Sequence, residues 1–174
     1  MQTLAITQGD CAGIGPEIVA KAFRDAPRDL QACFVVGDVA TLRRAAQSIA
    51  RPGMPDVPVA QIGAPAEALD MPPRCIPVLQ LQGIAGPQPW GQVSAAAGQA
   101  AADAVVWATR AALRGEVAGL VTAPLHKEAL SAAGVPYPGH TELLQAEAAR
   151  HQGVALSAMP VRMMLASDEL RTVL

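Results

Sequence analysis

The segment 137–142 holds the residues best suited to bind a small anionic ligand. Two prolines restrict it, a glycine lets it bend, and His140 and Thr141 stand where a helical pattern begins. Free backbone N–H groups at a helix N-terminus attract anions, and a neutral histidine can both donate and accept a hydrogen bond. These residues predict a cradle for a phosphate or hydroxyl group of a substrate. The structural alternative is that Thr141 only caps the helix and His140 is a satisfied loop residue.

The segment 122–127 follows a strand of buried type and carries a hydroxyl, an imidazole and an ammonium group on Thr122, His126 and Lys127. A lysine near a helix start is unfavourable for the helix dipole, which indicates that Lys127 binds a ligand. Its ammonium group can hold a phosphate or carboxylate, or lower the pKa of an alcohol that becomes an alkoxide. The alternative is a solvated lysine beside a surface histidine.

The glycine-bearing stretch 9–17, which contains Asp10, joins the first predicted strand to the first predicted helix. It lacks the Gly-Lys-Ser/Thr ending of a phosphate-binding loop of the Walker type. Ile18 also stands where a dinucleotide fingerprint requires its third glycine. Anion binding at the helix start and a tight turn closed by an acidic residue therefore remain alternatives for this loop.

Alternating strands and helices must bring these segments together. Apolar runs predict strands at 4–7, 32–38, 117–122 and 161–165, and helical spacing predicts helices at 16–23, 39–50, 94–114, 127–133 and 141–150. Several strands are apolar on both faces, so we expect an α/β fold with layered α/β/α architecture and a parallel or mixed sheet. Ligands bind at the carboxyl ends of such strands, which singles out the loops after Thr7 and Thr122.

Two further segments complete the predicted organisation. Residues 51–90 hold nine of the 15 prolines and predict an irregular excursion with a short strand at 76–81. The excursion is either a linker or packs on the sheet through two edge strands, at 57–62 and 76–81. The run 163–165 is predicted to be core strand and not a cofactor contact.

Composition narrows the class of protein. The chain of 174 residues is 51% hydrophobic, 16% charged and 3% aromatic, enough to bury the core of one ordinary domain. A net charge of -2 argues against nucleic acid as a partner, and no run is long enough to span a membrane. The start at Met1 is unlike an export signal, so we expect a cytoplasmic protein. Three widely separated cysteines predict neither a disulfide framework nor a zinc site.

In this order, the segments 9–17 (GDCAGIGPE), 122–127 (TAPLHK) and 139–142 (GHTE), followed by 163–165 (MML) and 169–171 (ELR), closely resemble the amino-terminal half of one enzyme family. It is the PdxA-type family of 4-hydroxythreonine-4-phosphate dehydrogenases. The resemblance implies a fold like that of isocitrate and isopropylmalate dehydrogenases, which bind a dinucleotide without the GxGxxG fingerprint.

The resemblance also implies an activity and site residues. The activity is NAD-dependent oxidation and decarboxylation of a phosphorylated hydroxy acid, above all 4-hydroxythreonine 4-phosphate in pyridoxal phosphate biosynthesis. A divalent metal (zinc, magnesium or cobalt) assists, and the enzyme is a homodimer. His140 and Thr141 match the substrate-binding pair, Lys127 is a candidate catalytic group acting electrostatically or as a proton relay, and Asp10 is a candidate loop-ordering carboxylate. Thr122 and His126 are kept as further candidate loop contacts.

Two departures from the family pattern qualify these expectations. Cys11 stands where the family usually has proline, which loosens the first loop. Family members are also longer, and their three metal-binding histidines follow the stretch that matches Leu174. Residues 1–174 are therefore expected to form a partial, truncated dehydrogenase without metal ligands, inactive on its own.

Other activities fit the same residues. Relatives with the same scaffold oxidise four-carbon acid sugar phosphates or dihydrodiol dicarboxylates. A non-catalytic anion-binding fragment is the alternative of another class.

Overall fold

Five parallel strands form the central sheet of the computed structural model, which describes residues 2–84 and 86–174. Met1 and Ala85 lie outside the described residues. Met1 belongs to the start that was compared with an export signal, and Ala85 belongs to the proline-rich excursion. The strands are β1 (Leu4–Thr7), β2 (Cys33–Gly37), β3 (Val59–Ile62), β4 (Ile76–Gln80) and β5 (Gly119–Thr122), in the spatial order β3-β4-β2-β1-β5. The predicted α/β fold is confirmed, and the sheet is parallel throughout.

Helices cover both faces of this sheet. They are α1 (Gly15–Asp25), α2 (Val39–Ser48), α3 (Ala95–Leu113), α4 (Lys127–Ala132) and α5 (His140–Gln152), with short 3₁₀ helices at Pro65–Asp70 and Leu156–Ala158. Ser94 caps α3 by accepting a hydrogen bond from the N–H of Ala97. Asp38 caps α2 by accepting one from the N–H of Thr41. Each predicted helix is present, with bounds shifted by no more than two or three residues.

The direction of each crossover decides which face a helix covers. The connections through α1 and α2 run toward the β3 edge, whereas the connection through α3 runs back to β5. Because such crossovers are right-handed, α3 lies on the opposite face. One core accordingly joins α1 and α2 to side chains such as Ile6 and Val35, and the other joins α3 to Ala5, Phe34 and Val36.

The prediction that 76–81 is an edge strand is wrong. The strand β4 lies between β3 and β2, and its Ile76 and Val78 are fully buried. The proline is tolerated because the pairing of β4 with β2 begins at Val78, one residue after Pro77. The companion strand, β3, does form the predicted edge.

The prediction that 163–165 belongs to the core is also wrong. Met164–Ala166 and Arg171–Val173 form a separate antiparallel hairpin, β6 and β7, whose residues are all exposed. Among the strands of residues 2–84 and 86–174 these two pair only with each other, and no layer of that part of the chain covers their apolar side chains. Sequence hydrophobicity alone does not distinguish such an arm from a core strand.

Two further properties concern the cysteines and the apolarity of the helices. Cys11, Cys33 and Cys75 are unpaired and buried, and burial raises the pKa of each thiol. Among residues 2–84 and 86–174, no helix has the length and apolarity needed to cross a membrane.

Candidate functional site

The loops that follow β1 and β5 lie side by side at the carboxyl edge of the sheet. Thr7 pairs in register with Thr122, so both strands end at the same level. Beyond them, the N–H of Asp10 donates a hydrogen bond of 2.9 Å to the carbonyl of Pro124. Gly9 adopts φ +71°, and a Cβ at this position would overlap that same carbonyl oxygen. Only glycine permits both the backbone conformation and the close approach of the two loops.

The first loop is ordered by its own hydrogen bonds. The carboxylate of Asp10 is buried and accepts a hydrogen bond of 2.9 Å from the N–H of Ala12. Arg44 donates to the carbonyl of Cys11 at 2.8 Å, which anchors the loop where the family usually has proline. A Cβ on Gly15 would approach the carbonyl oxygen of Gln8 to 2.6 Å, so this glycine also serves internal packing.

A cleft of about 380 Å³ opens between the loop after β5 and the start of α5. Three predicted site residues, Lys127, His140 and Thr141, line it together with Glu142. Asp10, Thr122 and His126 are not among the residues that line this cleft. The structure thus brings the catalytic candidate and the predicted substrate-binding pair together and leaves the three candidate loop contacts outside.

His140 is the most unusual side chain of this cleft. Its imidazole is half-buried, and its Nε2 atom is buried without a hydrogen-bond partner. Burial lowers the pKa of His140, while a hydrogen bond with the backbone of Ala123 acts in the opposite direction. The imidazole is therefore neutral at pH 7, and Nε2 is able to bond with a ligand.

Thr141 is not the cap of α5. The helix begins at His140, its N-cap is Gly139, and no side chain caps it. Thr141 is the second helical residue, is exposed and lines the cleft, and the N–H groups of the first turn of α5 have no side-chain cap. The alternative in which Thr141 only serves as a cap is thereby excluded.

Lys127 begins the short helix α4 and is exposed, and the exposed His126 is the N-cap residue, whose side chain makes no capping bond. The ammonium group of Lys127 adds a positive charge to a cleft that also carries the carboxylate of Glu142. This arrangement can hold a ligand that has both anionic groups and hydrogen-bonding hydroxyl groups.

Two residues that sequence reasoning missed hold the cleft helices in place. Glu147, buried on α5, accepts hydrogen bonds from Arg110 of α3 (2.7 Å) and from Arg150. Burial raises the pKa of Glu147, but the two arginines outweigh the effect of burial and hold the pKa below its ordinary value.

Gly98 lets α3 and α4 pack closely, because a Cβ there would overlap the carbonyl oxygen of Ala129. Two features of the sequence could have indicated these residues: Glu147 lies between alanines of a predicted helix, and Gly98 lies inside one.

The described residues contain no complete site for the implied metal. Within residues 2–84 and 86–174, no group of three or more His, Cys, Asp or Glu side chains could hold a metal ion. Gly9 and Gly15 of the first loop pack against protein backbone, so these two glycines offer no open contact to a pyrophosphate.

Comparisons with known proteins give a consistent result. The model of one protein family, described as "Pyridoxal phosphate biosynthetic protein PdxA", matches residues 29–174. A 4-hydroxythreonine-4-phosphate dehydrogenase of Beijerinckia indica is 46% identical over 171 residues, which cover 98% of this chain and 47% of the relative. A D-threonate 4-phosphate dehydrogenase of Bordetella bronchiseptica is 44% identical over 147 residues, which cover 83% of this chain and 41% of the relative.

The solved structures agree with the sequence relatives. A crystal structure of 4-hydroxythreonine-4-phosphate dehydrogenase from Klebsiella pneumoniae superposes with a TM-score of 0.81 at 37% identity, over 99% of this chain and 49% of that one. The chain thus spans about half the length of the relatives it matches.

Proposed function

Because the chain belongs to the PdxA family of pyridoxal phosphate biosynthetic proteins, we propose that it binds and orients the substrate of a dehydrogenase acting on a phosphorylated hydroxy acid. The proposed substrate is 4-hydroxythreonine 4-phosphate, the compound in the name of the Beijerinckia relative. The proposed overall reaction is oxidation of a secondary alcohol followed by loss of carbon dioxide.

One observation carries the proposal: the buried Nε2 of His140 lacks a partner inside a cleft that Lys127 and Thr141 also line. A buried polar atom without a hydrogen bond costs free energy, about 1–3 kcal/mol. Such an atom at a cleft wall is expected when a ligand supplies the missing bond. A substrate oxygen bonded to Nε2 would satisfy it.

Each of the three residues has a distinct role in this proposal. Neutral His140 bonds with a substrate hydroxyl or phosphate oxygen through Nε2. Thr141 and the uncapped first turn of α5 donate to an anionic group. Lys127 stabilises negative charge that develops on the substrate oxygen as its proton leaves, or relays that proton.

The rest of the machinery is proposed to lie outside the residues described above. NAD is the proposed hydride acceptor and a divalent metal (zinc, magnesium or cobalt) the proposed second cofactor, and both would be held by residues other than those described. The active enzyme is proposed to be a homodimer, as the family resemblance implies. This chain contributes the binding and orientation of the substrate.

The test measures binding of 4-hydroxythreonine 4-phosphate to the chain by chemical-shift titration. We expect His140→Ala to weaken binding by about 1.5–3 kcal/mol, roughly ten- to hundredfold, since the variant removes a hydrogen bond to a charged or polar ligand. The control is His151→Ala, an exposed residue in the last turn of the same helix. Equal affinities of wild type and His140→Ala would contradict the proposal.

A second substrate follows from the Bordetella relative, whose name specifies D-threonate 4-phosphate. This compound shares the phosphate and the secondary hydroxyl group but lacks the amino group. The same titration with both compounds decides between them. Binding of inorganic phosphate with equal affinity would instead indicate an anion-binding fragment.

A further inference from the structure

Arg44, on α2, connects two loops that are far apart in the sequence. Its guanidinium group donates a hydrogen bond of 2.8 Å to the carbonyl of Cys11 and one of 2.6 Å to the carbonyl of Gln88. The central carbon of the same group lies 5.0 Å from the ring centroid of Trp90, a cation–π contact. Arg44 thus holds the first loop against the segment 86–93, which contains Gln88 and Trp90.

Two further contacts join the same loops. The N–H of Gly91 donates a hydrogen bond of 2.8 Å to the carbonyl of Ala12. The thiol of Cys11 forms a hydrogen bond with the backbone of Gln88. Cys11 is therefore bound from outside the first loop at two atoms, its carbonyl oxygen and its sulfur.

These contacts lie at a turn that cysteine does not stabilise by itself. The N–H of Gly13 donates a hydrogen bond of 3.0 Å to the carbonyl of Asp10, so residues 10–13 form a β-turn with Cys11 in its second position. Proline is favoured at that position because its ring fixes φ in advance. Cysteine leaves φ free, and the shape of this turn consequently depends on the contacts that Arg44 and Gln88 supply.

The turn is in direct contact with the wall of the cleft. The N–H of Asp10 donates to the carbonyl of Pro124, a residue that lines the cleft. Ala123, next to it, supplies the backbone group that is hydrogen-bonded to His140. A Cβ on Gly15 would meet the Cβ of Ala123 at 3.4 Å, so the two loops touch on this side as well. A movement of the turn would therefore displace the residues against which His140 packs.

We propose that Arg44 is a positioning residue for the cleft, which acts through Cys11 and the turn 10–13 to hold residues 123–124 against His140. Arg44 is not among the residues that line the cleft, and it contacts His140 only through this chain of bonded groups. The inference rests on the proposed function where it concerns a ligand. Its first measurement needs no ligand.

The first experiment measures the pKa of the His140 ring by NMR titration of wild type and Arg44→Ala. A loosened turn should bury the imidazole less well, so the midpoint should rise toward 6.5 by about 0.3 or more. Lys127 and Glu142, the charged groups that line the cleft, are the same in both proteins. The control is Arg43→Ala, which removes the same charge from an exposed neighbour on α2 and should leave the midpoint unchanged.

Two further variants test the route. Cys11→Pro, combined with Arg44→Ala, should restore the wild-type midpoint because the proline ring fixes the turn. Trp90→Ala removes only an exposed ring beside Arg44 and should raise the midpoint less than Arg44→Ala does. Circular dichroism verifies that each variant is folded. An unchanged midpoint in Arg44→Ala, an equal rise in Arg43→Ala, or no reversal by Cys11→Pro would each overturn the inference.

The second experiment follows binding of 4-hydroxythreonine 4-phosphate by chemical-shift titration. Arg44→Ala should weaken binding by about two- to thirtyfold, and Cys11→Pro should recover most of this loss. Equal affinities of wild type and Arg44→Ala would contradict a positioning role. If wild type itself does not bind the compound, the proposed function fails, whereas the ring titration still decides the role of Arg44.

Discussion

At the scale of single residues, His140 differs from the other polar groups of the cleft because its surroundings keep it neutral. Lys127 and Thr141 are exposed, whereas Nε2 of His140 is buried and has no hydrogen-bond partner. The hydrogen bond with the backbone of Ala123 links the imidazole to the loop after β5. The protonation state of His140 thus depends on how the start of α5 packs against the loop after β5.

The first prediction concerns the pH dependence of stability. Because burial lowers the pKa of His140 from its ordinary value of 6.5, the unfolded chain binds the proton first as the pH falls. The contribution of neutral His140 is complete above about pH 6.5 and is lost as the pH falls below this value toward the lowered pKa. NMR titration of the His140 ring should give a midpoint below 6.5.

Urea denaturation at several pH values checks the same prediction on stability. Between pH 7 and pH 5, wild type should lose more stability than His140→Gln, which cannot be protonated. Parallel curves for the two proteins, or a ring midpoint above 6.5, would contradict a buried neutral imidazole.

At the scale of elements, α3 positions the helices that carry the cleft. It packs against α4 through Gly98 and is joined to α5 through Arg110 and Glu147. Lys127 begins α4 and His140 begins α5, so the separation of these two side chains depends on how both helices pack against α3.

The second prediction is that Gly98→Ala destabilises the chain although alanine favours helices. The added methyl group would overlap the carbonyl oxygen of Ala129, and backbone cannot move aside without shifting α4. Overpacking of this kind costs about 1–3 kcal/mol, which exceeds the gain of about 1 kcal/mol in helix propensity. The measurement is the midpoint of urea unfolding. The control is Gly86→Ala, which should have little effect because a Cβ at this position meets nothing within 4 Å. A higher unfolding midpoint for Gly98→Ala than for wild type would show that α4 does not pack this closely against α3.

The third prediction concerns Glu147→Gln. The amide keeps the shape of the buried side chain but loses the charge that both arginines contact, so stability should fall by about 1–2 kcal/mol. The half-exposed arginines keep the loss at the lower end of this range. Because the pKa of Glu147 is held below its ordinary value, the difference between wild type and variant should disappear at strongly acidic pH, where wild type is also protonated.

The matched comparison is Glu116→Gln, whose partner Arg114 is also half-exposed but whose carboxylate lies at the surface. Chemical denaturation should detect a clearly smaller change for this variant. Equal losses for the two substitutions would mean that the buried position of Glu147 contributes nothing.

At the scale of the whole molecule, strand order places the cleft at one side of the sheet. Among the described strands β5 is an edge strand, and the loop that follows it carries Lys127. The exposed hairpin of β6 and β7 is an apolar feature that the described chain leaves uncovered.

The sequence by itself determined most of the element order, the α/β class and the family, because these depend on local apolar periodicity and on the motifs at 9–17, 122–127 and 139–142. It also singled out Lys127, His140 and Thr141, whose residue types and positions beside helix starts are local features. The rule that ligands bind at the carboxyl ends of parallel strands singled out the loops after Thr7 and Thr122, whereas the position of His140 beside Lys127 came from the structure.

Only the tertiary structure decided which residues are enclosed. It placed β4 inside the sheet despite Pro77, left the hairpin exposed despite its apolar sequence, and buried Glu147 between two arginines. It also left Nε2 of His140 without a partner and kept Thr122 and His126 outside the cleft lining. The physical reason is that burial and pairing depend on neighbours distant in the chain, and local hydrophobicity and propensity contain no information about which neighbours those are.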